Sequence, residues 1–192
     1  MNSYLSKQEL QQLGLKSFGE NVLISRKASI YKPEVISLGS NVRIDDFCIL
    51  SGGNGIKIGN FIHIAPFSGL YGGGEIEIHD FAGLSSRCSL YSESDDYSGK
   101  SLTNPTVPMA FKPTFASKKI ILQRHTLVGV NSTILPGVTM YEGSVCGAHS
   151  LATKDLDKWG IYFGTPAKRI KTRDNKLLKL EGEFLSWKNS EG

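Results

Sequence analysis

Apolar residues recur at every sixth position over most of this chain. Between residues 18 and 90 they lead units of six residues, and three such units plus two further residues make a period of twenty. The rows in register are Phe18, Ile24 and Ile30; Leu38, Ile44 and Leu50; Ile58, Ile64 and Leu70; and Ile78, Leu84 and Leu90. After a break the count resumes without the extra pair at Leu122, Val128, Ile134, Met140, Cys146 and Ala152. Such regularity indicates a solenoid, in which each repeat packs against its neighbours.

The count of six predicts a prism with three flat faces. Each unit supplies one short strand and one corner, so three units complete a coil, and successive coils pair in parallel sheets. The leading residue points inward, and the fifth residue of a unit is small or of modest size, with Glu34 as the exception. Cys48 and Cys88 are fifth residues and Cys146 leads a unit, which predicts core thiols rather than reactive ones. The predicted fold class is therefore an all-β solenoid, a parallel β-helix.

The two ends of the chain depart from the repeat. Residues 6–9, Ser-Lys-Gln-Glu, form a capping box that opens a short helix, which Gly14 would close. Residues 172–188 have a helix-like distribution of apolar residues, weakened by Gly182. We expect both segments to cap the open sheet edges of the solenoid. The predicted organisation is an N-terminal helical cap (residues 1–17), a β-helix (residues 18–171) with an inserted loop (residues 91–118), and a C-terminal helix (residues 172–192).

Composition limits the number of domains, the cellular location and the kinds of partner that we expect. The 192 residues suit one domain, and three cysteines without a Cys-x-x-Cys pair imply neither a disulfide framework nor a zinc site. The sequence has no apolar stretch suited to a signal peptide or a membrane span, so we expect a cytoplasmic protein. The net charge is +4, and basic residues concentrate between residues 154 and 179, which fits a phosphate-bearing partner or a solvated basic face. Few aromatic residues lie among them, so we expect no nucleic-acid partner.

The C-terminal repeats carry a distinctive sequence. The run ILPGVTMYEGSVCGAHSLATKDL, followed by YFGTPAKRIKTR, resembles the ending of the left-handed β-helix hexapeptide-repeat acyltransferases. The segment SESDDYSGKSLTNPTVP in the inserted loop is similar to the branch that acts on sugars of bacterial surface polysaccharides. The resemblance implies a left-handed parallel β-helix that forms a homotrimer with active sites in clefts between neighbouring prisms. It also implies an acyl-CoA donor, such as acetyl-CoA, along the C-terminal coils and an acceptor entering from the other end of each cleft.

The resemblance also assigns residues to coenzyme A. Those that would border the coenzyme lie in the segments AHSLATKD and GTPAKR: Ala148, Thr153, Lys154, Thr165, Pro166, Lys168 and Arg169. Chemistry supports the assignment, because the pantetheine arm needs backbone partners from an exposed strand edge and the phosphates need Lys and Arg. Binding of the coenzyme phosphates would then explain why basic residues concentrate in the C-terminal region.

Acyl transfer needs a group that takes the proton of the nucleophile. Many members of the family have a histidine as the fourth residue of the unit that here reads VGVNST, and Asn131 in that position cannot act as a base, so we expect it to position a substrate. His125 occupies the same slot in the preceding unit and is one candidate base. Asp95 and Asp96 are the others, because a long loop between regular coils is more often functional than decorative. Both aspartates could instead be turn residues ahead of a Ser-Gly pair.

The acceptor side of the site is less defined in the sequence. Ser86 and Arg87 lie on the outward side of the coil that precedes the inserted loop, and could bind the sugar or its phosphates together with Asp96 and Asn131. We expect no metal site.

The leading hypothesis is an enzyme that moves an acyl group, with acetyl expected, from coenzyme A to the amino group of a nucleotide-linked amino sugar. An amine needs less help from a base than a hydroxyl does, which suits the absent histidine. O-acetylation of a sugar hydroxyl with His125 as base is the nearest alternative. Two hypotheses come from other classes: a zinc carbonic anhydrase on the same prism, which needs three converging histidines, and a noncatalytic scaffold.

Overall fold

Three parallel sheets form a triangular prism in the structure, a computed structural model that describes residues 3–191, apart from the side chains of residues 189 and 191. Face 1 contains the strands Ser17–Phe18, Ile36–Leu38, Ile56–Ile58, Ile76–Ile78, Ile120–Leu122 and Thr139–Met140. Face 2 contains Leu23–Ile24, Val42–Ile44, Ile62–Ile64, Gly83–Leu84, Leu127–Val128, Val145–Cys146, Gly160–Phe163 and Lys168–Thr172. Face 3 contains Ser29–Tyr31, Ile49–Ser51, Gly69–Tyr71, Ser89–Tyr91, Thr133–Ile134 and Leu151–Ala152. The predicted parallel β-helix is confirmed.

The register of the sheets explains the period of twenty. Ile36 pairs with Ile56 and Ile56 with Ile76, so each residue lies beside the one a full coil later. The leading residues of the units point inward and stack into a continuous core that includes all three cysteines. Burial raises the pKa of the Cys88 and Cys146 thiols to about 11, as expected for core cysteines.

The chain turns at three corners, which we name for the faces they join: corner A joins face 1 to face 2, corner B joins face 2 to face 3, and corner C leads back to face 1. The fourth residue of a unit makes the turn with a positive φ, a conformation that non-glycine residues adopt only where a turn demands it. At corner A this slot holds Asn21, Asn41, Phe61, Phe81, His125 and Gly143, and at corner B it includes Phe47, Phe67, Arg87, Asn131 and His149. Apart from Gly143, these residues project their side chains outward in a column along each corner, with stacked rings at both.

The N-terminal helix forms as its capping box predicts. Helix α1 (Lys7–Gln12) begins after Ser6, whose hydroxyl accepts the Glu9 N–H at 3.3 Å while Glu9 Oε2 accepts the Ser6 N–H at 2.7 Å. Leu10 is buried against the first coil. Glu9 also pairs with Arg26, which fixes the helix to corner B of that coil.

The C-terminal helix lies in a different place from the one expected. Helix α2 (Leu177–Glu191) packs along corner A instead of over the last coil: Phe184 meets the rings of Phe61 and Phe81 edge to face, with centroids 5.2 and 6.3 Å apart. The physical reason is that corner A presents an outward column of aromatic rings, which needs cover. The last coil is instead extended by the antiparallel strand Lys168–Thr172. Across the described residues, no helix has the length and apolarity that a membrane crossing requires.

The inserted loop leaves the prism at corner C, after the strand Ser89–Tyr91. Its neck is an antiparallel pair of short strands, Glu93–Ser94 and Ala116–Ser117. It contains the 3-10 helix Met109–Phe111; a second 3-10 helix, Pro33–Val35, lies at the same corner three coils earlier. Face 1 continues across the insertion, since Ile76 pairs directly with Ile120.

Candidate active site

Corner B carries three of the residues predicted to contact the acceptor. The N–H of Asn131 donates to the carbonyl oxygen of Ser86 at 3.1 Å, which joins two successive coils. Asn131 Nδ2 lies 3.3 Å from Nε2 of His149 in the following coil. The Arg87 guanidinium lies over the Phe67 ring, 5.1 Å from its centroid. The structure therefore brings Ser86, Arg87 and Asn131 together on one outward edge, with a cation held in a fixed position.

A shallow depression on face 2 adjoins this corner. Gly83 leaves a gap in the outward column of side chains, and the half-buried Ser86 and the ring of His63 border the gap. Nε2 of His63 lies 2.7 Å from Oδ2 of Asp45, which leaves Nδ1 of the same ring free of that bond. A polar group thus faces the depression next to the predicted acceptor residues.

Asp45 anchors that histidine firmly. Arg43 Nε donates to Asp45 Oδ1 at 2.7 Å, and the Tyr4 hydroxyl donates to the same oxygen at 3.2 Å. Burial alone would raise the pKa of Asp45, but the hydrogen bonds from His63 and Arg43 outweigh it and leave that pKa below its usual range. The sequence pattern alone assigned no role to His63. The available signal was the register: Arg43 and His63 are paired neighbours on face 2, and Asp45 follows Arg43 by two residues.

The two aspartates of the inserted loop have different environments, beginning with Asp96. Its Oδ1 accepts the Ser98 hydroxyl and N–H at 2.8 and 3.0 Å, and its Oδ2 accepts the N–H groups of Lys100 and Ser101 at 2.7 and 3.1 Å. These bonds, led by that of the Ser98 hydroxyl, lower the pKa of Asp96 to about 2. Both oxygens are occupied in closing a turn, so the geometry favours the turn-residue interpretation for Asp96.

Asp95 keeps acceptor capacity. Its Oδ2 accepts the Asn104 N–H at 2.9 Å, whereas its Oδ1 is buried and has no hydrogen-bond partner within the described part of the chain. The side chain as a whole is 36% exposed. Because a carboxylate oxygen can accept more than one hydrogen bond, Oδ2 can still receive a proton or a donor from a ligand.

His125, the other candidate base, lies beneath α2. Its Nε2 is 2.9 Å from Oε2 of Glu181, its ring stacks on Phe81 with centroids 5.2 Å apart, and its side chain is 7% exposed. Arg173 reaches under the helix and donates to the His125 carbonyl oxygen at 2.7 Å. A substrate could reach this imidazole only if α2 moved away.

The residues predicted to border coenzyme A meet at the last coil. The hairpin of strands Gly160–Phe163 and Lys168–Thr172 folds back so that the Ala167 N–H donates to the Leu151 carbonyl oxygen at 2.8 Å and the Gly164 N–H donates to Ser150 Oγ at 2.9 Å. Ala148 is half-buried, and the exposed members are Thr153, Lys154, Thr165, Pro166, Lys168 and Arg169. Three cations beside an exposed backbone edge suit a long phosphate-bearing ligand.

The candidate groups therefore occupy three different corners of one chain. Ser86 and Asn131 lie at corner B, Asp95 lies in the loop that leaves corner C, and His125 lies at corner A. Face 3 separates corners B and C, and its three-residue strand Ser89–Tyr91 spans about 10 Å. Taking only the residues that the structure describes, we find no group of three or more His, Cys, Asp or Glu side chains able to hold a metal ion.

Known proteins resemble this chain over nearly its whole length. No protein-family model matches it. Over 183 residues it is 44% identical to the dTDP-4-amino-4,6-dideoxy-D-glucose acyltransferase of Escherichia coli, and the match covers 95% of each chain. It resembles the crystal structure of AntD, an N-acyltransferase from Bacillus cereus, in complex with dTDP and 3-hydroxybutyryl-CoA, with a TM-score of 0.95 and 49% identity over 98% of this chain and 100% of that one.

Two further structures extend the comparison. A serine-to-alanine variant of AntD, in complex with dTDP-4-amino-4,6-dideoxyglucose and coenzyme A, matches with a TM-score of 0.94 and 49% identity over 97% of this chain and 99% of that one. A hexapeptide-repeat acetyltransferase from Vibrio cholerae, complexed with acetyl coenzyme A, is 19% identical with a TM-score of 0.60 over 89% of this chain and 80% of that one. This last likeness concerns the fold alone.

Proposed function

This chain belongs to the hexapeptide-repeat acyltransferases, in the branch of CoA-dependent sugar N-acyltransferases, and we propose that it acylates the amino group of a dTDP-linked amino sugar. The amine attacks the carbonyl carbon of the acyl thioester, so that a C–N bond forms as the C–S bond breaks. The nitrogen loses a proton and the departing sulfur gains one, which yields an amide and free coenzyme A.

The observation that carries the proposal is identity of 44–49% over nearly the whole length of relatives that bind or act on dTDP-linked amino sugars. We infer the same class of acceptor here, with the amino group on the sugar ring as the nucleophile. Acetyl is the acyl group expected from the sequence, and the 3-hydroxybutyryl-CoA bound by AntD makes a longer chain the alternative to test.

Coenzyme A is the acyl carrier of this branch, and we assign it to the last coil. The backbone around Ala148, Thr153, Thr165 and Pro166 would face the pantetheine arm, and Lys154, Lys168 and Arg169 would face the phosphates. Support comes from the hairpin, which sets these two segments side by side, and from the exposure of all three cations. Charge-assisted hydrogen bonds from Lys and Arg to phosphate are among the stronger polar contacts in proteins.

We assign the proton-accepting role to Asp95. Its side chain is 36% exposed although Oδ1 is buried, and Oδ2 keeps acceptor capacity, whereas Asp96 is occupied by its turn. Structures of AntD include variants at one serine and at one aspartate, ten positions apart in that chain. This chain has the same spacing twice, as Ser85 with Asp95 and as Ser86 with Asp96, and the geometry favours the first aspartate.

The positions of these groups support a homotrimer. Within one chain, Asp95 and the polar edge formed by Ser86, Arg87 and Asn131 lie on either side of face 3. A neighbouring copy could set its inserted loop against corner B, and the acceptor would then bind in a cleft between two copies. In that arrangement Ser86, Arg87 and Asn131 would hold the sugar and its phosphates, and Asp96 would shape the loop beside them.

His125 fits the alternative, O-acetylation, less well. A general base must come within hydrogen-bond reach of the hydroxyl proton. The Nε2 atom of His125 is instead held by Glu181, and the ring is covered by α2. We therefore assign His125 to holding the helix.

The cellular setting follows from the substrates. We place the reaction in the cytoplasm, where acyl-CoA donors and nucleotide sugars are made, and in the synthesis of a surface polysaccharide such as lipopolysaccharide. The similarity of the segment SESDDYSGKSLTNPTVP to that branch supports the second assignment.

A matched pair of acceptors tests the function. Thiol release from acetyl-CoA and from 3-hydroxybutyryl-CoA is measured with dTDP-4-amino-4,6-dideoxyglucose and with dTDP-6-deoxyglucose, which carries a hydroxyl in place of the amine. We expect thiol release with the amine and none above background with the hydroxyl. Release with the hydroxyl alone would establish O-acylation instead, and binding of neither coenzyme nor acceptor in calorimetry would favour a noncatalytic scaffold.

A further inference from the structure

Lys112 is an unusual residue for an inserted loop. Its side chain is 5% exposed, although much of the loop around it is open to solvent. Lysine is rarely buried so completely without a partner, because removing an ammonium group from water is costly. The burial of Lys112 therefore implies that a negatively charged or hydrogen-bonding partner lies close to its ammonium group.

Among the residues that the structure describes, three groups lie close to its ammonium. Nζ donates to the Asn104 carbonyl oxygen at 3.1 Å and lies 4.7 Å from the centroid of the Phe115 ring. It also faces Oδ1 of Asp95 at 4.0 Å. That distance is too long for a hydrogen bond, but the two opposite charges still attract each other.

The same oxygen of Asp95 is the one that the described residues leave without a hydrogen-bond partner. Asn104 links the two side chains, since its carbonyl oxygen receives Lys112 and its N–H donates to the other oxygen of Asp95, Oδ2, at 2.9 Å. Oδ1 is thus turned inward toward the ammonium. Because Oδ1 is buried, the 36% exposure of the side chain lies on its other atoms, which leaves Oδ2 as the oxygen that a ligand can approach.

We propose that Lys112 is a positioning residue that holds the Asp95 carboxylate with Oδ1 inward and Oδ2 facing the acceptor amine. This inference rests on the proposed function, in which Asp95 accepts the proton of that amine. Rotating the carboxylate away would leave a buried ammonium with one hydrogen-bond acceptor, so the orientation is fixed before the substrate binds. Such preorganisation matters because small misplacements of a catalytic group cost much of its effect.

A double-mutant cycle tests the proposal. Lys112→Met keeps an unbranched side chain, one atom shorter, and removes its charge. We expect it to lower kcat roughly tenfold while leaving KM for acyl-CoA within about twofold, because Lys112 is not among the residues assigned to the coenzyme. Lys112→Arg should restore most of kcat. In an Asp95→Asn background, Lys112→Met should have no further effect, since its action passes through the carboxylate.

A purely structural role gives a different result. If Lys112 only held the loop together, Lys112→Met would lower activity by the same factor in both backgrounds and would increase proteolytic cleavage of the loop. Either of these outcomes overturns the proposal. An unchanged kcat in the Lys112→Met variant also overturns it. Lys100→Met, which removes an exposed charge from the same loop, serves as the matched control and should match the wild type. Normal thiol release by Asp95→Asn would overturn the inference but not the acyltransferase function.

A crystal structure of the Lys112→Met variant keeps the test independent of activity. We expect the Asp95 carboxylate to turn away from its position while the neck strands Glu93–Ser94 and Ala116–Ser117 remain paired. If the Asp95 carboxylate stays in place in this variant, the proposal is wrong, whether or not acylation of any acceptor has been measured. Absence of thiol release by the wild type with every amine acceptor would instead count against the proposed function.

Discussion

His125 and Glu181, 56 residues apart in the chain, form a nearly buried pair that joins corner A to α2. Nε2 of His125 lies 2.9 Å from Oε2 of Glu181, and the two side chains are 7% and 10% exposed. The second oxygen of the same carboxylate contacts Arg124. One glutamate thus satisfies two basic side chains at the point where the helix meets the prism.

Replacing Glu181 with alanine should loosen α2. The change leaves His125 without its hydrogen-bond partner under the helix, which we expect to cost about 1–3 kcal/mol of unfolding free energy. Denaturant unfolding gives that number, and hydrogen exchange should show faster exchange along α2. Glu183→Ala is the matched control, because Glu183 is 60% exposed and its ion pair with Lys179, at 3.8 Å, is worth less than about 1 kcal/mol. Equal effects of the two substitutions would contradict this view of the pair.

Asp95 and Asp96 should respond differently to the same substitution. Asp95→Asn removes the proton acceptor and should lower turnover more than about tenfold with the fold intact. Asp96→Asn removes acceptor capacity for the Ser98, Lys100 and Ser101 donors, so it should make the inserted loop easier to cleave and reduce turnover less. Steady-state rates and limited proteolysis on both variants separate the two effects. Near-normal turnover of Asp95→Asn would transfer the role to another group or to none.

The fold was predictable because its physics is local and repeated. One inward residue in every six, with a small residue at the fifth position, determines coil, register and core together, and the buried cysteines follow from that pattern. The prediction failed for α2, since its sequence shows an apolar face but not which surface it covers. Only the structure reveals the column of Phe61, Phe81 and His125 that attracts Phe184.

The site was predictable in part for similar reasons. Residues one coil apart, such as Ser86 and Asn131 on either side of the inserted loop, meet because the register requires it. The difference between Asp95 and Asp96 depends on how an irregular loop folds, which no repeat describes. The same is true of Lys112: its position in the sequence gives no sign that its ammonium is buried beside a carboxylate.

The cations of the last coil should act on the coenzyme alone. Lys168→Gln removes one phosphate-binding charge, and we expect it to raise KM for acyl-CoA roughly tenfold while KM for the sugar nucleotide stays within about twofold. Initial rates with each substrate varied in turn give both constants, and added salt should reduce the difference from wild type. Lys176→Gln is the control, since Lys176 is 87% exposed and pairs with Asp174 at 3.2 Å. Parallel increases in both KM values would point to a change in the fold instead.

Stability should fall in acid over a defined range because of two carboxylates. The Arg26 guanidinium lowers the pKa of Glu9 to about 2, and the Ser98 hydroxyl and nearby N–H groups lower the pKa of Asp96 to about 2. Both values lie below those of the unfolded chain, about 4, so each group stabilises the folded state fully above that pH. The contribution is lost as the pH falls from about 4 toward about 2, where protonation breaks the hydrogen bonds.

Thermal melting across that range measures the effect. The double variant Glu9→Gln, Asp96→Asn should melt lower than wild type at neutral pH and lose less stability between about pH 4 and about pH 2, since two of the titrating groups are gone. Glu183→Gln, at an exposed position, should follow the wild-type curve. If the double variant and the wild type lost equal stability over this range, the acid sensitivity would have to come from other carboxylates, with Asp45 and its partners Arg43 and His63 the next to test.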